Sequence, residues 1–548
     1  MKKIESKIKF VLVVLFSVVN TCLYSQEKPY VSQVWVADHG DSYSNPILFS
    51  DYSDPDVIRV GDDYFMTASS FNEVPGLPIL HSKDMINWKL VNHALTEIVP
   101  VEHFSVPQRG NGVWAPSIRF HNNEFYIYWG DPDFGIYMVK TKDPFGTWEK
   151  PILVMEGKGL IDSCPFWDDN GQAYLVHAWA GSRAEVKSLL TVNKMNAEGT
   201  KAIDKGIHVF DGHDKHSTVE GPKFYKRNGY YYIFAPAGGV APGWQLVLRA
   251  KDIYGPYEEK VVLEQGSTKI NGPHQGAWVN TPSGEDWFYH FQDLDTYGRV
   301  MLLQPMKWEN DWPVMGIDYD KNKIGEPVSS YKKPNVVKKF PVVTPQETDE
   351  FDADVLGPQW QWSANPNVVW YSKLRGQKFL RLFALKTKVE DKNLWNVPNL
   401  LTQKFPAPNF VASTKVKLYP DEAVEGRIAG LLVMGMDHAS LVMINKKDGF
   451  YLQLRKAINA DKGGIEEIIA ETKLKSSEAF LKVEVKEPNG ICQFSYSENG
   501  KKFVPIGDAF QAKPGKWIGA KVGLYCVSTP TAQRGGYADF DWFRITDK

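Results

Sequence analysis

Cysteine is nearly missing from this 548-residue chain. Only Cys22, Cys164, Cys492 and Cys526 are present. That excludes a disulfide framework. With no CxxC, no zinc-finger spacing and no HExxH, thiol redox and protein-caged zinc chemistry have no support. Cys492 and Cys526 lie in strand-like segments, and both a bridge between them and two buried thiols stay open. Cys164 serves packing. No glycine-rich phosphate loop is found. An excess of one charge is also lacking: 63 Lys and Arg face 65 Asp and Glu, interspersed, for a net charge of −2. Without a basic stripe, nucleic acid is excluded as a partner. Long apolar runs are scarce. Phe10 to Val19 (FVLVVLFSVV) is ten residues long, too short to span a bilayer. Lys2, Lys3, Lys7 and Lys9 precede it and Ser25-Gln26 follows. Residues 1–25 therefore read as a cleaved signal peptide, and the expected location is the periplasm or the medium. Asn20-Thr21 before Cys22 fit a lipobox poorly, which speaks against a lipoprotein, and no membrane span is expected.

Aromatic residues are abundant: 18 Trp, 25 Tyr and 29 Phe. Most belong to strand packing, but flat rings also stack on the C–H faces of sugars. A short phrase recurs five times, opened by Asp54 (DPDVIRVGDDYFMTASS), Ala115 (APSIRFHNNEFYIYWG), Asp162 (DSCPFWDDNGQAYLVHAW), Glu220 (EGPKFYKRNGYYYIFAPAG) and His274 (HQGAWVNTPSGEDWFYHFQD). In the first four a polar pair follows eight and nine residues later: Asp62-Asp63, Asn123-Glu124, Asn170-Gly171 and Asn228-Gly229. An apolar run comes next, so each phrase reads as a β-hairpin. The fifth has a longer turn, from Thr281 to Asp286. Hairpins repeating every 47 to 61 residues predict an all-β, five-bladed propeller.

Equivalent positions in blades take equivalent places around the axis. Asp54, Asp162, Glu220 and His274 are then expected to converge on one funnel. Gathering three acids costs several kcal/mol unless function requires it. The propeller is expected over 26–325. A proline-bearing stretch of little periodicity, 326–349, reads as a linker or strap. Residues 350–548 hold short alternating strands such as FLKVEVK and ADFDWFRI, with hairpin turns at Asp448-Gly449 and Asn499-Gly500. They predict a β-sandwich of the jelly-roll kind.

Cleaving a glycosidic bond needs two carboxyl groups in different protonation states, and a third can tune them. Asp54, Glu220 and Asp162 fill these three roles without surplus. The competing use of acids is a hard cation. No dense Asp-x-Asp-x-Asp loop is present, so no cofactor is required, and a Ca²⁺ on the axis is an accessory at most.

The runs NPILFSDYSDPDVIRVGDDYFMTASS, GVWAPSIRFHNNEFYIYWGDPDFGIY, LIDSCPFWDDNGQAYLV, VEGPKFYKRNGYYYIFAPAGG and HFQDLDTYGR resemble glycoside hydrolase family 43 over residues 40 to 320. The C-terminal region is similar to the concanavalin-like sandwich of that family's two-domain β-xylosidases and α-L-arabinofuranosidases. The resemblance implies an exo-acting, inverting hydrolase that removes terminal β-D-xylose or α-L-arabinofuranose from plant cell-wall polysaccharides or oligosaccharides. By the same resemblance Asp54 is the general base, Glu220 the general acid and Asp162 the residue that modulates the acid. Trp114, His274 and Arg299 contact the sugar, and His274 is also the residue that would face a Ca²⁺ through water. Phe71, Trp129, Trp179 and Trp244 are read as structural. The alternative is a carbohydrate-binding propeller without turnover. A retaining fructosidase is disfavoured, because Ser53, Ile161 and Gly221 break the motifs of that group. Oligomeric state is not legible.

Overall fold

The computed structural model describes residues 29–420, 425–532 and 535–548. The expected signal peptide lies outside them. Five four-stranded antiparallel sheets span 56–95, 114–156, 160–211, 223–263 and 274–315, each with its strands in sequence order. They are the five blades of a propeller, and the first strand of each lines the axis. Hairpin chemistry explains the repeat. Gly61-Asp62, Asn122-Asn123 and Asn228-Gly229 occupy the inner turns of blades one, two and four, with positive φ at Gly61, Asn122, Asn123, Asn228 and Gly229. Such turns match the right-handed twist of the strands they join. In blades one and two the turn falls one residue earlier than expected.

The ring closes through the chain ahead of blade one. Ile47 N–H donates to Met301 O at 2.8 Å, and Met301 N–H donates to Leu48 O at 3.0 Å. The Asn45 side chain brackets Leu303, donating to its carbonyl and accepting from its N–H, each at 2.9 Å. The stretch after blade five is a strap: Ser330–Lys332 pairs with Ser42–Ser44.

The C-terminal region holds two eight-stranded sheets. Phe410–Tyr419 alternates strictly between buried and half-buried residues, as expected of a strand with one face on a core. Apolar faces of the two sheets meet to form a concanavalin-like sandwich. Its core continues into the propeller: Phe49, Tyr297, Val300 and Leu302 pack in one cluster with Trp360, Trp362, Phe405 and Phe410. Val74 and Trp362 exchange backbone hydrogen bonds across the seam, and Lys521 pairs with Glu73 at 2.9 Å. Cys164, Cys492 and Cys526 are all buried free thiols, so the Cys492–Cys526 bridge left open by the sequence is not formed. Burial pushes the Cys492 thiol up to about 12. Among the described residues no helix is long and apolar enough to cross a membrane.

Candidate active site

Each inner strand is entered through one residue with left-handed backbone: Asp54 (φ 53°), Ala115 (33°), Asp162 (58°), Gly221 (58°) and Gln275 (38°). For residues other than glycine this costs about 1–3 kcal/mol each, and such strain gathers at functional sites. The bend brings the strand entries to one end of the axis. There Asp54, Phe71, Trp114, Ala115, Ile161, Asp162, Glu220, Val240, His274, Gln275, Arg299 and Trp517 line one pocket. The structure thus brings all six residues expected from the sequence to one place.

It also corrects their phase. Asp54 and Asp162 are themselves the left-handed residues. Glu220 and His274 stand one position earlier, and Gly221 and Gln275 take the bend. Glycine is needed there: a Cβ on Gly221 would lie 2.7 Å from Gln275 Cγ.

Asp54 is buried and held at both oxygens. Ser69 Oγ donates to Oδ2 at 2.6 Å, and Arg299 Nη1 donates to Oδ1 at 2.9 Å. Charge-assisted bonds of this kind fix a carboxylate's orientation. Arg299, expected to touch sugar hydroxyls, is committed to Asp54. The surrounding carboxylates Asp54, Asp293, Asp51 and Glu220 outweigh its burial and raise its pKa. Asp162 Oδ2 accepts the Gly221 N–H at 2.7 Å. Burial first, then the charges of Glu220 and Asp54, push the Asp162 carboxyl well above the ordinary carboxylate range. Glu220 keeps part of its side chain open to solvent, and its Oε1 lies 3.3 Å from His274 Nε2.

His274 is fully buried, and neither ring nitrogen has a hydrogen-bond partner in the protein. Among the described residues no group of three or more His, Cys, Asp or Glu side chains is arranged to hold a metal. Ca²⁺ takes six to eight oxygen ligands. The residues around His274 therefore do not fit a protein-made Ca²⁺ cage.

Trp114 lines the pocket with Nε1 donating to Gly110 O at 3.0 Å. Its ring meets Phe71 and Trp517 edge to face, with centroids 6.4 and 6.1 Å apart. Phe71, read as structural, is a wall of the pocket. Trp129 is core, stacked on Tyr137, and the Trp179 and Trp244 indoles bond to Thr191 and His216. Sequence reasoning missed Ser69, Asp51 and Trp517. Trp517 comes from a turn of the sandwich, remains 51% exposed, and stands over the pocket mouth. Asp51 fixes that turn: Oδ1 accepts the Arg299 N–H and Oδ2 accepts the Gly519 N–H, both at 2.9 Å. The only signal for Trp517 was a bulky aromatic after Pro-Gly in a polar turn.

Paired carboxyls in an aromatic-walled pocket define a class of enzyme: a glycosidase. Known proteins supply the family. Residues 43–313 match the model of glycosyl hydrolases family 43, and residues 348–546 match that of the β-xylosidase C-terminal concanavalin A-like domain. A putative β-xylosidase of Xylanibacter ruminicola is 40% identical over 90% of this chain and 87% of its own length. A β-xylosidase of Formosa agariphila is 31% identical over 92% and 90%, respectively. A family 43 protein of Bacillus licheniformis shares the fold with a TM-score of 0.79 and 26% identity, covering 92% of this chain and all of that one. The chain belongs to glycoside hydrolase family 43 and is a glycosidase.

Proposed function

We propose that this enzyme removes non-reducing terminal pentoses, β-D-xylose or α-L-arabinofuranose, with inversion, and that it works outside the cytoplasm after export. The observation that carries the reading is the acid-lined pocket on the propeller axis, narrowed on one side by Trp517 of the sandwich. A chain end fits such a pocket, and a chain interior does not. The names of relatives agree, including a non-reducing end α-L-arabinofuranosidase of Bacteroides ovatus at 27% identity over 92% of this chain. In the proposed reaction Asp54, oriented by Ser69 and Arg299, takes a proton from the attacking water. Glu220 gives a proton to the departing oxygen, and Asp162 beside it governs that proton. The sugar lies against Trp114 and Phe71.

Incubation with p-nitrophenyl β-D-xyloside and p-nitrophenyl α-L-arabinofuranoside tests this directly. Release of nitrophenol from at least one is expected, with Glu220→Ala losing most activity on substrates with poor leaving groups. Failure with both, alongside measurable sugar binding, would favour the binding-propeller alternative.

A further inference from the structure

Below the acids, the propeller axis carries a cation that the roles above do not use. Lys223 begins the inner strand of blade four, three residues after Glu220. It is fully buried. Its Nζ crosses the axis to blade two and donates to Pro116 O and Ser117 Oγ, each at 3.0 Å. Both partners are neutral oxygens. A buried ammonium bonded only to neutral groups is costly, and it persists where a nearby anion compensates for it.

Asp162 is a carboxyl on which that charge acts, favouring its ionised form. Gly221, two residues before Lys223, already donates to its carboxylate, so one strand entry turns both an N–H and a cation toward the same group. The Lys223 charge opposes the effect of burial on Asp162. The other charges around Asp162 are Glu220 and Asp54, with His274 behind the first and Arg299 behind the second. Deeper on the axis, Asp56 and Arg119 pair with each other at 2.5 Å, and Arg119 also donates to Cys164 Sγ. Asp56 takes up the Arg119 charge, so the cations that face the acid cluster are Arg299, bonded to Asp54, and Lys223.

We propose that Lys223 is a positioning residue for hydrolysis: its buried positive charge balances Asp162 and sets the pH range over which the three carboxyls work. The proposal rests on the hydrolytic reading above. Its test is the pH dependence of kcat/KM on an aryl pentoside. Lys223→Gln keeps a donor and removes the charge, and Lys223→Met removes both. Without the cation each carboxyl releases its proton less readily, so the alkaline limb should move to higher pH by about one unit, a tenfold effect. Asp162→Asn removes the opposite charge and should move that limb to lower pH. In the Asp162→Asn background, Lys223→Gln should shift it much less. Should neither neutral variant fold, Ser117→Asp places a carboxylate against the ammonium and should give the same upward shift. A folded neutral variant whose limb coincides with the wild type, however low its kcat, overturns the proposal. Wild-type enzyme inactive on both pentosides would instead sink the hydrolytic reading.

Discussion

Asp162 shows at the scale of one residue what this site costs. Folded, it holds its proton more tightly than at its ordinary value of 3.8, chiefly because it is buried. The native state then binds more protons than the unfolded one. Its stability falls as pH rises from that ordinary value through the raised one. Asparagine keeps an acceptor for the Gly221 N–H and carries no charge at any pH. Asp162→Asn is therefore expected to match the wild type near pH 4 and to exceed it at pH 8. A gain of about 1 kcal/mol, or about 1 °C in melting temperature for a cooperative body of this size, is the expected scale. Thermal melts across that pH range check it. A variant less stable than the wild type at pH 8 would show that Asp162 contributes to the fold rather than straining it.

Among elements, the inner strands were legible and the loops were not. Hairpin phrases gave the blade number, because turn pairs and alternating strands are local chemistry. They also gave Asp54, Asp162, Glu220 and His274, since strand entries converge in any propeller. The phase at Glu220 was misread by one residue: the bend needs left-handed backbone, and Gly221 takes it in place of the acid. Ser69 was invisible because one serine after an apolar strand carries no pattern. Trp517 was invisible because its place over the pocket depends on the sandwich docking onto blade five, a contact between residues hundreds of positions apart. That turn gives a second prediction. Trp517→Ala removes an aromatic wall and opens the mouth, so kcat/KM on small pentosides should fall about tenfold, mainly through KM. Asp51→Ala frees the Gly519 N–H and should lower kcat/KM in the same direction. Steady-state kinetics of both variants decide it. A loss confined to kcat would mean that the turn acts on the carboxyls instead of on the sugar.

The whole molecule behaves as one cooperative body on this account. Phe49, Tyr297, Val300 and Leu302 of the propeller share a core with the sandwich, and Trp517 of the sandwich completes the pocket. Calorimetry should therefore show one unfolding transition. A chain ending near residue 340 would expose that apolar face and should be poorly soluble and inactive. Two well-separated transitions, or an active isolated propeller, would contradict it. The central claim is that Asp54 activates water while Glu220 protonates the leaving oxygen. It is tested most directly by proton NMR of the sugar first released from an aryl pentoside, recorded before mutarotation. The account predicts the inverted anomer; a retained anomer would contradict it and would make Asp54 a nucleophile.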